Sequence, residues 1–193
     1  MCGRYYVRDD LSREIEKLVR NLNRGGIICG EIFPDQRASV IVRDKDENKL
    51  EQMEWGIHLP EKQLLINARA ETVMKKHTFS GSLRSRRCLV PVSWFYEWDT
   101  SRNKIAFRPG ADEQSGLFLG GIWEPGRDAG HFVILTVPAG DAVRPVHDRM
   151  PFILPETSCG DWLGGEERYV PLLASWPEAD LRSEGYYQER LPF

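Results

Sequence analysis

The chain has 193 residues, 41% of them hydrophobic and 28% charged, with a formal net charge of −3. That composition sits near globular averages and excludes a disordered, collagen-like or coiled-coil chain. The length fits a single domain, at about 100–200 residues per domain. No run approaches the roughly 18 apolar residues of a membrane span, and no apolar core of a secretion signal follows Met1. The expectation is a cytoplasmic protein with no membrane partner.

In chain order, Cys2–Val7 reads as a first strand. Leu11, Ile15, Leu18, Val19 and Leu22 then recur at helical spacing behind Asp9 or Asp10 as a cap, which predicts a helix. Short strands are expected at Ala38–Arg43, Leu50–Trp55, Leu64–Arg69, Cys88–Val92, Phe95–Trp98, Lys104–Arg108, Leu117–Trp123, His131–Val137 and Phe152–Leu154. Turn clusters such as Pro109-Gly110 and Pro125-Gly126 separate them. Two short helices are expected at Glu156–Leu163 and Pro177–Arg182. The expected class is α+β, mainly antiparallel β and barrel-like, with a few peripheral helices.

The small net charge is a sum over two unlike regions. From Arg69 to Arg108 nine basic residues stand against three acidic ones, a local charge of +6. From Ile153 to Phe193 three basic residues stand against eight acidic ones, a local charge of −5. A basic middle can mark an anionic partner.

The four cysteines, Cys2, Cys29, Cys88 and Cys159, form no zinc-like spacing. Nor do His58, His77, His131 and His147 show ligand spacing, so neither metal nor cofactor is expected. Cys29, Cys88 and Cys159 read as small buried hydrophobes. Cys2 differs by position. Removal of Met1 places a primary amine and a thiol on one residue. A free α-amine has a pKa of about 7.7–8.0, so part of it is neutral near pH 7. That amine can attack an aldehyde, and the thiol can close a five-membered thiazolidine on the same carbon. Alternatively the thiol alone could act on an acyl group.

Three further stretches carry chemistry-bearing residues. In Ile66-Asn67-Ala68-Arg69-Ala70-Glu71, a strand would put Asn67, Arg69 and Glu71 on one face. In Trp94-Phe95-Tyr96-Glu97-Trp98, four aromatic rings flank a carboxylate, and desolvation there would raise its pKa toward acid/base use. In Val146-His147-Asp148-Arg149-Met150-Pro151, an imidazole titrates near neutrality beside an acidic neighbour. Each alone also fits an ordinary edge strand, core strand or turn.

Together with Met1-Cys2-Gly3-Arg4, and in this order, they resemble the SRAP family (SOS response-associated peptidase domain). Trp55-Gly56 and Arg86-Arg87-Cys88-Leu89-Val90-Pro91 also resemble family elements. The resemblance covers roughly residues 2–155. It implies one SRAP domain over 1–193, with the part from about residue 156 atypical. Two family elements have no clean match. A Tyr-Asn-x-Ala-Pro segment aligns only at the proline of Gly30-Glu31-Ile32-Phe33-Pro34, and a Pro-Val-Ser…Val-Asn element is not found in 169–193.

The family senses abasic sites in single-stranded DNA, so the implied partner is single-stranded DNA carrying that lesion. The implied catalytic residues are Cys2, Asn67, Glu97 and His147. Cys2 forms a thiazolidine crosslink to C1′, Glu97 moves protons, His147 assists opening of the sugar and Asn67 positions the reactants. Arg4, Arg69 and Arg149 are the expected phosphate contacts, because arginine matches phosphate in a forked geometry. Trp55 and Trp98 are expected to stack on bases. A monomer is expected, nucleoid-associated when crosslinked, with hydrolase-, protease- or lyase-type chemistry. Exposure of Cys2 by autoproteolysis or by methionine aminopeptidase stays open. Two other readings remain: an N-terminal-nucleophile amidohydrolase using the Cys2 thiol, and a single-stranded DNA-binding module without covalent chemistry.

Overall fold

The structure, a computed structural model, describes residues 2–60, 63–110 and 115–186. It opens with β1 (Tyr5–Val7), a single 3-10 turn at Asp9–Leu11, and α1 (Ser12–Leu18). The helix stops short of Leu22: Val19 is extended at φ −115° and Asn21 sits at φ 55°, a left-handed turn that ends helical propagation. Next come β2 (Gly30–Ile32), β3 (Arg37–Asp44), β4 (Glu47–Trp55), β5 (Ile57–His58), β6 (Leu64–Leu65) and β7 (Asn67–Arg69). Two helices, α2 (Ala70–Val73) and α3 (His77–Ser85), precede β8 (Arg87–Val92), β9 (Trp94–Trp98), β10 (Lys104–Pro109), β11 (Leu117–Glu124) and β12 (His131–Pro138). The chain continues through β13 (Arg149–Pro151), β14 (Ile153–Leu154), α4 (Glu156–Trp162), α5 (Glu166–Ala174) and β15 (Leu181–Tyr186).

The larger sheet runs β13-β12-β4-β3-β8-β11-β14, and β11 also pairs with β12, so five strands close a ring. β12 runs parallel to β4 and β7, and the other pairs are antiparallel. The mixed α+β, barrel-like class expected from the sequence is what the structure has. β8 is buried along its whole length, as a strand covered on both faces must be. Its one charge, Arg87, is satisfied by the carbonyls of Trp162, Leu83 and Arg84, with the Tyr169 ring 4.0 Å from its guanidinium. Closure of the ring needs Gly121: a Cβ there would lie 2.9 Å from both the Cys88 sulfur and the Val133 carbonyl.

A second sheet, β15-β10-β9-β1-β2, is antiparallel throughout. Its alternation is clean. Tyr5, Val7, Phe95 and Phe107 join the main core, while Trp94, Tyr96 and Ala106 form a separate outer cluster with Tyr6 and Trp98. This sheet corrects one expectation. The helix expected at Pro177–Arg182 is absent; instead Leu181 pairs with Pro109 and the ladder runs to Tyr186 beside Lys104. Left alone, β10 would be an open edge, and pairing it outweighs the weak strand propensity of Arg182-Ser183-Glu184-Gly185.

Candidate active site

Cys2 lies just ahead of β1 and is fully buried. Its carbonyl accepts a hydrogen bond from Asn67 Nδ2 at 2.9 Å, and its Sγ donates to the Arg4 carbonyl at 3.7 Å. Burial first, and the nearby charge of Glu97 second, push the thiol well above its ordinary range. At neutral pH the sulfur is therefore a thiol, not a thiolate.

Asn67 opens β7, whose parallel pairing with β12 sets it beside Ile134. The residue before it is anchored to the core: the Trp55 indole N–H donates to the Ile66 carbonyl at 3.0 Å. Trp55 itself is fully buried between Tyr5, at 5.0 Å, and Phe132, at 6.4 Å. It presents no face to a base, contrary to its expected stacking role, and it fixes the approach of β7 instead. Gly56 follows at φ +128° and its N–H bonds the Phe132 carbonyl at 2.8 Å; that φ favours glycine. The Asn67 Oδ1 is buried and has no hydrogen-bond donor among the described residues. The amide thus holds Cys2 with one end and keeps an acceptor beside it with the other. The expected polar row ends at Arg69, because Glu71 belongs to α2.

Glu97 sits on β9 opposite Ile105 and is 2% exposed. Burial pushes its carboxyl up to about 7, against a downward pull from the positive amino terminus; Asp148 adds a smaller push. His147 sits on the turn ahead of β13, its N–H bonded to the Val143 carbonyl at 3.0 Å. The Arg149 amide donates to His147 Nδ1 at 2.9 Å, which leaves the neutral ring's proton on Nε2. Burial first, then the amino terminus, lowers its pKa, with Asp148, 2.9 Å from Nδ1, opposing them. Asn67 bonds Cys2, Glu97 acts on the Cys2 thiol, and Asp148, beside His147, acts on Glu97, which links the four residues in one chain of interactions.

The expected phosphate contacts differ in setting. Arg69 is exposed at the end of β7 and holds no ion pair or side-chain hydrogen bond among the described residues. Arg4 is half-buried, 3.4 Å from Glu31, with its guanidinium over Phe33 at 4.2 Å and Trp98 at 5.2 Å. Trp98 is half-buried beside it. Arg149 is committed inward: it forks onto both Glu71 carboxylate oxygens and donates to the Thr136 carbonyl at 2.6 Å. That pairing holds the Glu71 carboxyl below its usual range. Glu31, Phe33, Glu71 and Thr136 were not legible as neighbours, because strand register carries them here. Of the three cysteines expected to be buried, Cys88 and Cys159 are and Cys29 is exposed.

Among the described residues no three His, Cys, Asp or Glu side chains are placed to hold a metal, and no helix is long and apolar enough to cross a membrane.

Fold and site together define a mixed α+β barrel whose polar residues gather around the start of its own chain. The family model described as SOS response associated peptidase (SRAP) matches residues 1–184, and the chain belongs to this family. An abasic site processing protein of Bacillus subtilis (strain 168), YoqW, is 30% identical over 183 residues, covering 84% of this chain and 80% of that protein. YedK of Escherichia coli (strain K12), also named an abasic site processing protein, is 26% identical over 187 residues, covering 86% and 81%. A crystal structure of a protein from Bordetella bronchiseptica superposes with a TM-score of 0.78 at 22% identity, covering 97% of this chain and 100% of that one.

Proposed function

We propose that this chain is a single SRAP domain that recognises abasic sites in single-stranded DNA and captures them covalently through Cys2 once Met1, which lies outside the described residues, is removed. The names of the relatives support the substrate class. One observation carries the chemistry: Asn67 holds the Cys2 carbonyl beside a buried carboxyl that titrates near 7.

The open form of an abasic sugar is an aldehyde. The neutral Cys2 amine adds to C1′, and Glu97 takes one proton from nitrogen and passes it to the former carbonyl oxygen, giving the carbinolamine. A second relay through Glu97 carries the remaining N–H proton to the carbinolamine hydroxyl, which leaves as water and gives the imine. The Cys2 sulfur adds to the imine carbon while its proton passes to nitrogen, closing the thiazolidine with one water lost in all. A thiol held protonated suits this order, in which the amine leads, and disfavours the amidohydrolase reading, which needs a thiolate first. His147 hands a proton to the sugar ring oxygen as the bond from C1′ to that oxygen breaks, while the C1′ hydroxyl gives up its own proton to solvent and becomes the aldehyde carbonyl; the lowered pKa of His147 makes its imidazolium a stronger acid. Arg69 and Arg4 contact phosphates, Trp98 contacts a base, and Arg149 positions the His147 turn through Glu71.

The test is a denaturing gel after incubation with single-stranded DNA containing one abasic site. A heat-stable shifted band is expected, lost in Cys2→Ala and when a residue is retained ahead of Cys2. A band that persists in both would overturn the reading, as would no band from the processed protein.

A further inference from the structure

The outer face of the five-stranded sheet is unlike the rest of the surface. Its aromatic residues are capped by cations in a row. Arg4 lies over Phe33 and Trp98, Lys104 lies 3.8 Å from the Tyr96 ring centre, and Arg108 lies 3.7 Å from that of Trp94. Tyr6 stacks on Trp94 at 4.4 Å with the rings nearly parallel. The row begins beside Cys2 at Arg4. It ends at a cleft of about 460 Å³ lined by Arg8, Arg108, Arg182, Ser183 and Glu184. The register sets Lys104 opposite Trp98, and Arg108 is four residues further along, about 13–14 Å at 3.3–3.4 Å per residue.

We propose that this arginine cleft is a second phosphate-binding subsite, which holds the DNA backbone beyond the lesion. It deepens the function proposed above and rests on that reading for the identity of the strand. Two of its arginines already pair with carboxylates of this chain. Glu184 accepts from Arg108 Nε at 2.9 Å, and Asp10 sits 2.9 Å from Arg8 Nε. Both carboxylates are on side chains more than half exposed, 57% and 54%, so they can be displaced by a stronger anion. The guanidiniums they leave are held in place: Arg8 and Arg108 side chains are only 24% and 18% exposed. Arg182 brings a third arginine to the same cleft, and Arg108 lies against the buried Trp94 ring, which makes that ring a reporter of what Arg108 binds. An isolated small anion would use the cleft alone. The cation row leading back to Arg4 favours a continuous polyanion.

The experiment compares the wild-type chain with an Arg108→Ala/Arg182→Ala double variant. Binding is measured against salt on undamaged single strands, one just spanning the lesion position and one reaching well beyond it. On the long strand the variant should bind more weakly, with a log–log salt slope shallower by about 0.7 for each phosphate no longer neutralised. On the short strand its affinity should match wild type, as should crosslink yield at saturating short abasic DNA. An unchanged slope on the long strand overturns the proposal, and so does an equal loss on both lengths. A third arm follows the Trp94 indole signal by NMR as inorganic phosphate is added. A phosphate response with no long-strand effect assigns the cleft to small anions and overturns the DNA assignment. Should the double variant fail to fold, Arg182→Glu on the exposed edge strand replaces it, with a larger long-strand loss expected and an unchanged slope again overturning the proposal. Absence of a crosslink from the wild-type chain itself, with the length dependence intact, counts against the Cys2 reading and leaves the subsite standing, whereas a crosslink yield lowered only in the variant overturns the proposal.

Discussion

Glu97→Gln separates what the buried carboxyl does to stability from what it does in chemistry. Glu97 is 2% exposed and its carboxyl titrates at about 7, against an ordinary 4.5. Its pKa is raised on folding, so the folded state favours the protonated acid. Its contribution is fully present below about 4.5 and is lost as pH rises through about 7. The difference between the two values amounts to roughly 3 kcal/mol, at about 1.4 kcal/mol for each pKa unit. Glutamine mimics the neutral acid and does not titrate. The variant should therefore match wild type near pH 4 and exceed its stability by up to about 3 kcal/mol near pH 8. Denaturant unfolding of both proteins across this range, with m-values compared, measures it. The same substitution should slow crosslinking by about 10²-fold or more, the usual scale of acid–base assistance. A variant with the same pH slope in stability as wild type would refute the assignment of a desolvated carboxyl to Glu97.

Asn67→Ala removes the hydrogen bond to the Cys2 carbonyl; crosslinking should slow while mass spectrometry still finds Met1 removed, and an unchanged rate would free Asn67 of its role. Arg69→Ala should bind single-stranded DNA with a salt slope shallower by about 0.7, and an unaltered slope excludes it as a phosphate contact. Trp55→Ala should destabilise the fold by about 3–5 kcal/mol, as truncation of a buried aromatic does. A Trp55→Ala protein of normal stability with a selective loss of DNA affinity would restore the stacking role.

The fold was legible where periodicity was strong and local. The strands that became β3, β8, β11 and β12 alternate or run apolar in the sequence, and the structure buries them. What escaped was decided by partners far along the chain. β15 forms because β10 needs a neighbour, a demand that nothing within Leu181–Tyr186 announces. α5 carries Pro171 in its interior, which weighs against a helix, yet Tyr169 and Leu173 are buried on one of its faces. At the site, the four short motifs named Cys2, Asn67, Glu97 and His147 but not their arrangement. The Asn67–Cys2 contact spans 65 positions and depends on β7 lying along β12. Trp55 shows the opposite hazard. A tryptophan before a glycine reads equally well as a base platform or a core anchor, and what separates the two is its burial between Tyr5 and Phe132, which only the folded chain brings about.

The most direct measurement maps the adduct. After reaction with abasic single-stranded DNA, the complex is digested with nuclease and protease, and the modified peptide is sequenced by mass spectrometry. A sugar remnant is expected on the peptide that begins at Cys2, with one water lost and no free thiol on that residue. A remnant on an internal lysine, or on a peptide that still begins with Met1, would contradict it.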